Sequence, residues 1–355
     1  VERISTTLNN GWKSVSGKML KTAIDLFAGI GGFRLAINNN QLECVYSNDY
    51  NKFSCETYRA NFGEIHLGDL NDIHAKDIPP FDLLCGGFPC QPFSIAGVSK
   101  KNSLGVKHGF DDEKQGNLFF EILRVIDEHH PKVIFLENVK NLQSHDKGNT
   151  WRIMQSELLN KGYSVFSKVV DGKYYVPQHR ERIFVVCFSD TYFPNINFEF
   201  PAYPSNRLYE LNDIIEVEGK VDGKYTLSDK LWNYLQQHKI NSQSKGNGFG
   251  FGLITPDSEY TRTLSARYYK DGSEILIDQK NNNPRRLTPI ECARLQGFPE
   301  DFIIPVSDAQ AYKQFGNSVV APAVDAILKQ IVHTVESYDV NIDGFIQREK
   351  QQSLF

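Results

Sequence analysis

The fold is decided by the stretch TAIDLFAGIGGFRLA, residues 22–36. Its apolar first half, residues 22–26, has the composition of a buried strand, and the glycines at 29, 31 and 32 form a turn before a helix. Glycine lets a backbone bend sharply and approach a ligand closely, so this opening is typical of nucleotide-binding α/β domains. The spacing does not match the G-x-G-x-x-G phosphate fingerprint. A pyrophosphate on the helix is therefore not required, and a plain strand-to-helix turn explains these residues equally well.

Two more strand-like segments each end in an acidic residue. Residues 44–48 run into Asp49, about 20 residues after the glycine turn, where an acid can accept hydrogen bonds from ribose hydroxyls. Residues 64–70 include Asp69, which could receive an adenine amino group. Each acid alone is more simply a solvated loop carboxylate. The pair at successive strand ends favours an adenosine-containing cofactor.

A fourth apolar segment, residues 81–85, leads into GGFPCQPFS, residues 86–94. Cys90 is therefore expected at the carboxyl end of a strand, the edge where open α/β sheets carry their reactive groups. Pro89 and Pro92 fix φ on both sides of this thiol. A stiffly held thiol suggests a nucleophile, whereas free cysteines are more often small buried hydrophobes. Both interpretations stay open on this stretch alone.

The segment after Cys90, residues 94–117, is polar and glycine-punctuated, and loops of this length are usually functional lids or disordered. A helix from Leu118 then leads to an apolar strand that ends in Glu137-Asn138-Val139. We expect Glu137 to meet Cys90 at the same sheet edge. Burial there would raise its pKa and let it act as an acid near neutral pH. A solvent-facing cap is the alternative.

Two arginines occur at i and i+2 in VPQHRER, residues 176–182. In an extended chain Arg180 and Arg182 point to one side. Such a pair can bind a phosphate or a carbonyl oxygen. Lone arginines more commonly form ion pairs on the protein surface.

The alternation of strands and helices stops between about 190 and 285, where Asn, Tyr and Gly are frequent. This composition predicts a second, smaller, irregular β domain. Residues 261–294 hold seven basic residues beside Tyr268 and Tyr269, a combination that suits nucleic acid. A final helix to about Val335 should return to the first domain.

Length and composition limit the domain count and the class of protein. A chain of 355 residues that is 40% hydrophobic can bury a large core and favours two domains. Its net charge of -4 argues weakly against a nucleic-acid protein, so charge has to be judged locally. The six cysteines show no metal-ligand spacing and are expected to be reduced thiols, with no metal site. Without a long apolar run or a signal-peptide pattern, we expect a cytoplasmic protein with no membrane partner.

Taken together, six blocks resemble the cytosine-5 DNA methyltransferases of bacterial restriction–modification systems, of the HhaI type, over nearly the whole chain. Any one block is weak, but the ordered set is highly specific. The resemblance implies a Rossmann-like S-adenosylmethionine-dependent methyltransferase domain and a smaller irregular β target-recognition domain. The blocks are Phe27-Ala28-Gly29-x-Gly31-Gly32, Pro89-Cys90-Gln91, Glu137-Asn138-Val139, Gln178-x-Arg180-x-Arg182, Arg286 to Pro299 and Gly316-Asn317-Ser318-Val319.

The resemblance also implies a mechanism. The Cys90 thiolate adds to carbon 6 of a cytosine that has been flipped out of the duplex at a cost of roughly a few kcal/mol, and the ring becomes an enamine able to take a methyl group. Glu137 protonates ring N3 and Arg182 holds the carbonyl O2. Arg180 grips backbone phosphate and Asn138 fixes the local geometry. The implied catalytic set is Cys90, Gln91, Glu137, Asn138, Arg180 and Arg182.

S-adenosyl-L-methionine is the implied methyl donor and S-adenosyl-L-homocysteine the product. Double-stranded DNA is the implied substrate, bound by a monomer. The implied cofactor residues are Phe27, Gly29, Ile30, Gly32, Asp49, Tyr50, Asp69, Leu70, Pro89, Leu118, Asn317 and Ser318, and the implied DNA-binding residues are Ser94, Arg180, Arg262, Thr263 and Arg267.

The expected domain organisation has five parts. Residues 1–20 form an N-terminal tail, 21–194 the first part of the catalytic domain, 195–300 the target-recognition domain, 301–340 the return to the catalytic domain and 341–355 a C-terminal tail. The chain departs from its relatives at Gln115-Gly116, where Arg-Gly is usual, and at Tyr175, where Gly is frequent.

Two alternatives remain at this point: a tRNA cytosine-5 methyltransferase, and a catalytically silent DNA-binding regulator on the same fold. The long basic-aromatic region disfavours the first, and intact Cys90, Glu137 and Arg182 disfavour the second. A cognate restriction endonuclease is expected as a functional rather than a physical partner, in a bacterial, nucleoid-associated setting. The sequence does not identify the recognition site, which we expect to be short and to contain G and C.

Overall fold

The computed structural model describes residues 20–88, 118–207, 210–216, 219–246 and 250–352, with side chains as far as Tyr338. Pro89, Cys90, Gln91, Ser94 and the segment interpreted as a lid lie outside the described residues.

A seven-stranded sheet organises the chain, in the order β3-β2-β1-β4-β5-β7-β6. β1 to β5 run parallel, and β7 lies antiparallel between β5 and β6. The strand order reverses between β1 and β4, and ligands of open α/β sheets bind outside the carboxyl ends of strands at such a point. The strands are β1 Thr22–Leu26, β2 Glu43–Asp49, β3 His66–Leu67, β4 Leu83–Gly87, β5 Val133–Val139, β6 Tyr163–Asp171 and β7 Glu181–Ser189.

Helices cover both faces of this sheet, which explains why its strands are apolar on both sides. Alternate residues of β1 face opposite layers, so Ala23 packs with Phe33 on one face and Ile24 packs with Phe119 on the other. The helices of this unit are α1 Gly32–Asn39, α2 Lys52–Phe62, α3 Leu118–His129 and α4 Asn149–Asn160.

The C-terminal helix returns to the sheet as predicted, but it is longer than predicted. It runs over Ala321–Gln352 and packs against α1, whereas the apolar periodicity used for the prediction fades near Val335. The last six residues of the helix, QREKQQ at 347–352, all have high helix propensity, which favours continuation of the helix. Residues 308–338 are apolar enough to span a membrane by length and composition, yet Val324, Ile327 and Leu328 are buried in the core against the sheet.

A smaller unit follows β7 and has its own core. Its sheet has three two-residue strands in the order β10-β9-β8, and its core includes Leu264, Tyr268 and Phe315. The sequence predicts irregular β structure here but misses a 16-residue helix, because Leu235 is the only fully buried residue of that helix. The elements of this unit are α5 Leu211–Ile214, α6 Asp229–Ser244, β8 Leu253–Ile254, β9 Leu276–Ile277, β10 Arg285–Arg286, α7 Pro289–Leu295 and α8 Asp308–Asn317. The C-terminal helix of the large unit, Ala321–Gln352, is α9.

Candidate active site

The ends of β4 and β5 meet at one edge of the large sheet. Gly87 is the register partner of Glu137, and the Asn138 side chain donates to the Phe88 carbonyl at 2.9 Å. The Val139 amide donates back to the Asn138 side-chain oxygen at 2.8 Å. Asn138 thus holds the last described residue before the stretch that contains Cys90.

Buried Glu137 and partly exposed Arg182 form an ion pair at this edge. The Arg182 Nε lies 3.0 Å from Glu137 Oε1, and only 8% of Glu137 is exposed. Burial raises the pKa of Glu137, while the guanidinium groups of Arg182 and Arg180 oppose that rise. A carboxyl in this setting takes up a proton at higher pH than an exposed glutamate does. The Arg182 Nη1 donates to the Glu181 carbonyl at 2.8 Å, which fixes the guanidinium plane.

Arg180 is buried rather than available at the surface, with 2% of its area exposed. Its Nη1 donates to the Leu264 carbonyl at 2.8 Å, and its Nη2 donates to the carbonyls of Gly316 and Ser318. Burial and the nearby Arg182 cation lower the pKa of Arg180 to about 9, so it remains a cation at neutral pH. Both Nη atoms of Arg180 therefore bind backbone carbonyls in this arrangement.

The glycine turn after β1 is braced by Asp49. The Gly29 amide donates to Asp49 Oδ2 at 2.8 Å, and the Asn51 amide donates to Asp49 Oδ1 at 2.7 Å. Phe27 and Gly29 both adopt positive φ, of 55° and 56°. An added Cβ at Gly29 would meet no atom of the described residues within 4 Å. The turn therefore leaves open space next to Gly29 among the described residues.

The other predicted cofactor residues divide into two groups. The segment that contains Ser318 and Val319 lies against the glycine turn. An added Cβ at Gly32 would lie 2.4 Å from Val319 Cγ2 and 3.4 Å from Ser318 Oγ. Around the turn, Asp69 and Tyr50 are exposed, and the Gly68 amide donates to the Asp49 carbonyl at 3.1 Å. By contrast, the side chains of two residues point into cores and leave only their backbone for a ligand. These residues are Ile30 and Leu70. Of the remaining predicted cofactor residues, Leu118 is half-buried and Asn317 is exposed.

Sequence reasoning missed Asp25, which lies in the middle of β1 with no exposed area. Neither carboxylate oxygen has a hydrogen-bond partner of normal geometry among the described residues. Burial raises the pKa of Asp25 to about 8, and the Arg34 charge opposes that rise. The available signal was a single acid inside an otherwise apolar strand, directly below the glycine turn.

The smaller unit contacts the catalytic edge through its irregular segment 261–265. The Thr261 amide donates to the Pro177 carbonyl at 2.8 Å, and Thr263 Oγ1 donates to the His179 carbonyl at 2.6 Å. Next to this segment, a concavity of about 390 Å³ is lined by cationic and aromatic side chains and by the acidic residues Asp271 and Glu274. Among its lining residues are Arg262, Arg267, Lys270, Tyr234 and His238.

The basic-aromatic stretch predicted at 261–294 is only partly a surface. Tyr268 is wholly buried, and its hydroxyl donates to the Ile275 carbonyl at 2.6 Å. Arg285 forms a buried pair with Glu291, whose oxygens lie 2.8 Å from both Nη atoms. These two residues therefore stabilise the smaller core and offer nothing to a nucleic acid. Over the ranges that the structure describes, no group of His, Cys, Asp or Glu could hold a metal ion.

Residues 21–333 match the family described as C-5 cytosine-specific DNA methylase. The chain belongs to this family. It is 50% identical over 316 residues to the type II methyltransferase M1.ScrFI of Lactococcus lactis subsp. cremoris, covering 88% of this chain and 78% of that protein. It is 44% identical over 365 residues to the DNA-cytosine methyltransferase of Escherichia coli K12, covering 86% of this chain and 76% of that protein.

A crystal structure of the Schizosaccharomyces pombe Dnmt2 methyltransferase shares the fold of this DNA methylase. The TM-score is 0.69 at 20% identity, and the match covers 89% of this chain and 99% of that one. Family membership confirms the prediction of a DNA (cytosine-5-)-methyltransferase that uses S-adenosyl-L-methionine. The names of the relatives also confirm the resemblance to restriction–modification enzymes.

Proposed function

We propose that this methyltransferase modifies one cytosine of a short duplex site through a covalent bond between Cys90 and carbon 6 of the flipped-out base. The observation that carries the proposal is the ion pair between buried Glu137, near the end of β5, and partly exposed Arg182 of β7, beside the strand that leads to Cys90. A buried acid and a fixed guanidinium at one strand end suit the two polar edges of a cytosine ring.

Each residue has a defined part in this chemistry. The Cys90 sulfur forms a bond to carbon 6 while Glu137 delivers a proton to ring N3, which keeps the ring from accumulating negative charge. Arg182 donates to O2 and stabilises the charge that develops there. After methylation, solvent water takes the carbon-5 proton, the sulfur–carbon bond breaks to release the Cys90 thiolate, and ring N3 returns its proton to the Glu137 carboxylate. Bound S-adenosyl-L-methionine supplies the methyl group and leaves as S-adenosyl-L-homocysteine.

The glycine turn is the proposed cofactor site. Open space above Gly29, the brace from Asp49 and the exposed ring of Tyr50 suit an adenosine. Asp49 would accept from the ribose hydroxyls and Asp69 from the adenine amino group. Ser318, which approaches Gly32, would line the rest of the site.

Sequence choice is proposed to reside in the region 195–300. The concavity beside the segment 261–265 brings Arg262, Arg267 and Lys270 together, although the whole chain is acidic. Arginine pairs bidentately with guanine O6 and N7, which supports Arg262 and Arg267 as base-reading residues. Thr263, bound to the His179 carbonyl, would set the position of this loop next to the catalytic edge.

The biological setting is proposed by likeness to the relatives. The protein would act as a monomer in the bacterial cytoplasm, on the nucleoid, and protect host DNA from a cognate endonuclease that it does not bind. Sedimentation of the purified protein should give one 40.5 kDa species. A stable dimer would contradict the proposed monomer.

Activity of a nucleophile variant tests the mechanism. Cys90→Ser should abolish methyl transfer to duplex DNA while cofactor and DNA affinity stay within about threefold, because the fold keeps its packing. Cys44→Ser, at a half-buried cysteine, is the matched control and should keep its activity. Methylation sequencing of DNA from expressing cells reports both the activity and the site. Wild-type activity in Cys90→Ser would refute the assignment.

A further inference from the structure

We propose that Arg180 is a positioning residue that fastens two distant segments, the irregular segment 261–265 and the C-terminal end of α8 with Ser318 (residues 316–318), to the catalytic edge, and is not a phosphate ligand. The inference stands on contacts within the protein. It rests on the proposed function only for its consequence, which is the coupling of base reading to cofactor binding.

The Arg180 guanidinium joins parts of the chain that are far apart in sequence. One Nη atom donates to the carbonyl of Leu264, which is 84 residues away, and the other donates to the carbonyl of Gly316, which is 136 residues away. Ser318 supplies a third carbonyl to the second Nη atom. The Arg180 amide itself donates to Asp171 Oδ1 at 3.0 Å, so the backbone that carries the guanidinium is also fixed.

The two fastened segments touch each other directly. An added Cβ at Gly316 would lie 2.3 Å from the carbonyl carbon and oxygen of Ser265, so only glycine allows this approach. Gln178 supports the same junction, since it accepts from the Leu264 amide at 2.9 Å and donates to the Leu295 carbonyl at 3.1 Å. The Arg180 guanidinium thus lies among backbone carbonyls of both segments, at the point where the segments touch.

The charge of Arg180 lies close to the catalytic pair. Both Glu137 and Arg182 are near enough to influence its ionisation, in opposite directions. Its Nε has no hydrogen-bond partner in the described parts of the chain. A buried cation held by neutral carbonyls tolerates little displacement, because every lost contact leaves a desolvated polar group. We therefore expect movement of either segment to reach Glu137 through Arg182, which lies two residues along the chain from Arg180 and pairs with Glu137.

The position of each segment gives the junction its function. The first carries Thr263 and is followed by Arg267 at the concavity. The second ends at Ser318, which approaches Gly32 of the cofactor turn. A residue that fixes both relative to Glu137 links the choice of sequence to the geometry of methyl transfer.

Hydrogen exchange of the full-length protein without DNA tests the fastening directly. Arg180→Lys should raise exchange at least about tenfold in peptides over 261–268 and over 314–320 together, with the strands β1 and β4 unchanged. Arg124→Lys is the matched control, because Arg124 also donates to a backbone carbonyl, that of Leu70 at 2.8 Å, but far from this junction. Unchanged exchange at either peptide, or an equal rise throughout the protein, would overturn the proposal.

The salt dependence of duplex binding separates positioning from phosphate contact. Arg180→Met removes the cation, and its slope of log K against log salt should match the wild type, because no phosphate is contacted. A slope reduced by about 0.9 would assign Arg180 to phosphate and overturn the proposal. In Arg180→Lys the ratio of kcat/KM between the target and a single-base variant should fall at least fivefold, and an unchanged ratio would also overturn it. If the wild type methylates no DNA, the proposed function fails while the exchange result still decides the role of Arg180.

Discussion

Asp25 allows a stability prediction with a defined sign, because its side chain is wholly buried in β1. Burial raises the pKa of this carboxyl from 3.8 to about 8, with Arg34 opposing the rise and Asp49 adding to it. The folded state therefore holds a proton that the unfolded state releases. Because the folded pKa is the higher one, this contribution is fully present below about pH 3.8 and is lost as the pH rises toward 8. Within that window, the free energy of unfolding falls by about 1.4 kcal/mol for each pH unit of increase.

Asp25→Asn keeps the shape of the side chain and removes its titration. Urea unfolding of the cofactor-free protein at pH 5, 6 and 7 should show the wild type losing stability relative to the variant, by about 3 kcal/mol over the two units. Other titrating groups cancel in this difference. Asp82→Asn is the control, since the pKa of Asp82 is lowered by Lys132 and by backbone amides and its difference should stay constant above pH 5. Parallel profiles for Asp25→Asn and the wild type would refute the reasoning.

Three further predictions concern the cofactor, the junction and the base-reading loops. Asp49→Ala and Asp69→Ala should each weaken S-adenosyl-L-methionine binding by about 1–3 kcal/mol, and unchanged calorimetric affinity for both would place the pocket elsewhere. Gly316→Ala should cost about 1–3 kcal/mol of stability, because its Cβ would lie 2.3 Å from the opposing backbone; an unchanged unfolding midpoint would contradict that packing. Arg262→Ala and Arg267→Ala should each relax one base position by about 1–3 kcal/mol in competition binding. Uniform losses with a shallower salt slope would assign them to phosphate instead.

The large sheet could be predicted because local pattern and tertiary role agree there. The apolar runs that became β1, β4 and β5 are buried on both faces, and each ends in residues that lie at one edge. The smaller unit could not be predicted in the same way. Its helix α6 has one fully buried residue, so its sequence carries little of the periodicity that marks an amphipathic helix.

The site shows a similar division. The sequence predicts that Glu137 lies near the stretch that leads to Cys90, because both follow apolar strands. The structure has β4 and β5 as parallel neighbours whose carboxyl ends meet at one edge. Composition cannot tell which residue of a basic-aromatic stretch is buried. The pattern therefore predicts that Tyr268 belongs to a nucleic-acid surface, although Tyr268 is wholly buried. The partners of Arg180 are backbone carbonyls on distant segments, and no local pattern encodes them.

Trapping of the covalent bond tests the proposed mechanism most directly. A duplex with 5-fluorocytosine at the methylated position should give a denaturation-resistant adduct, because fluorine cannot leave as a proton and the sulfur–carbon bond then persists. Digestion and mass spectrometry should locate this adduct on Cys90. An adduct on any of the other five cysteines, or no adduct in a protein that methylates the unmodified duplex, would contradict the mechanism.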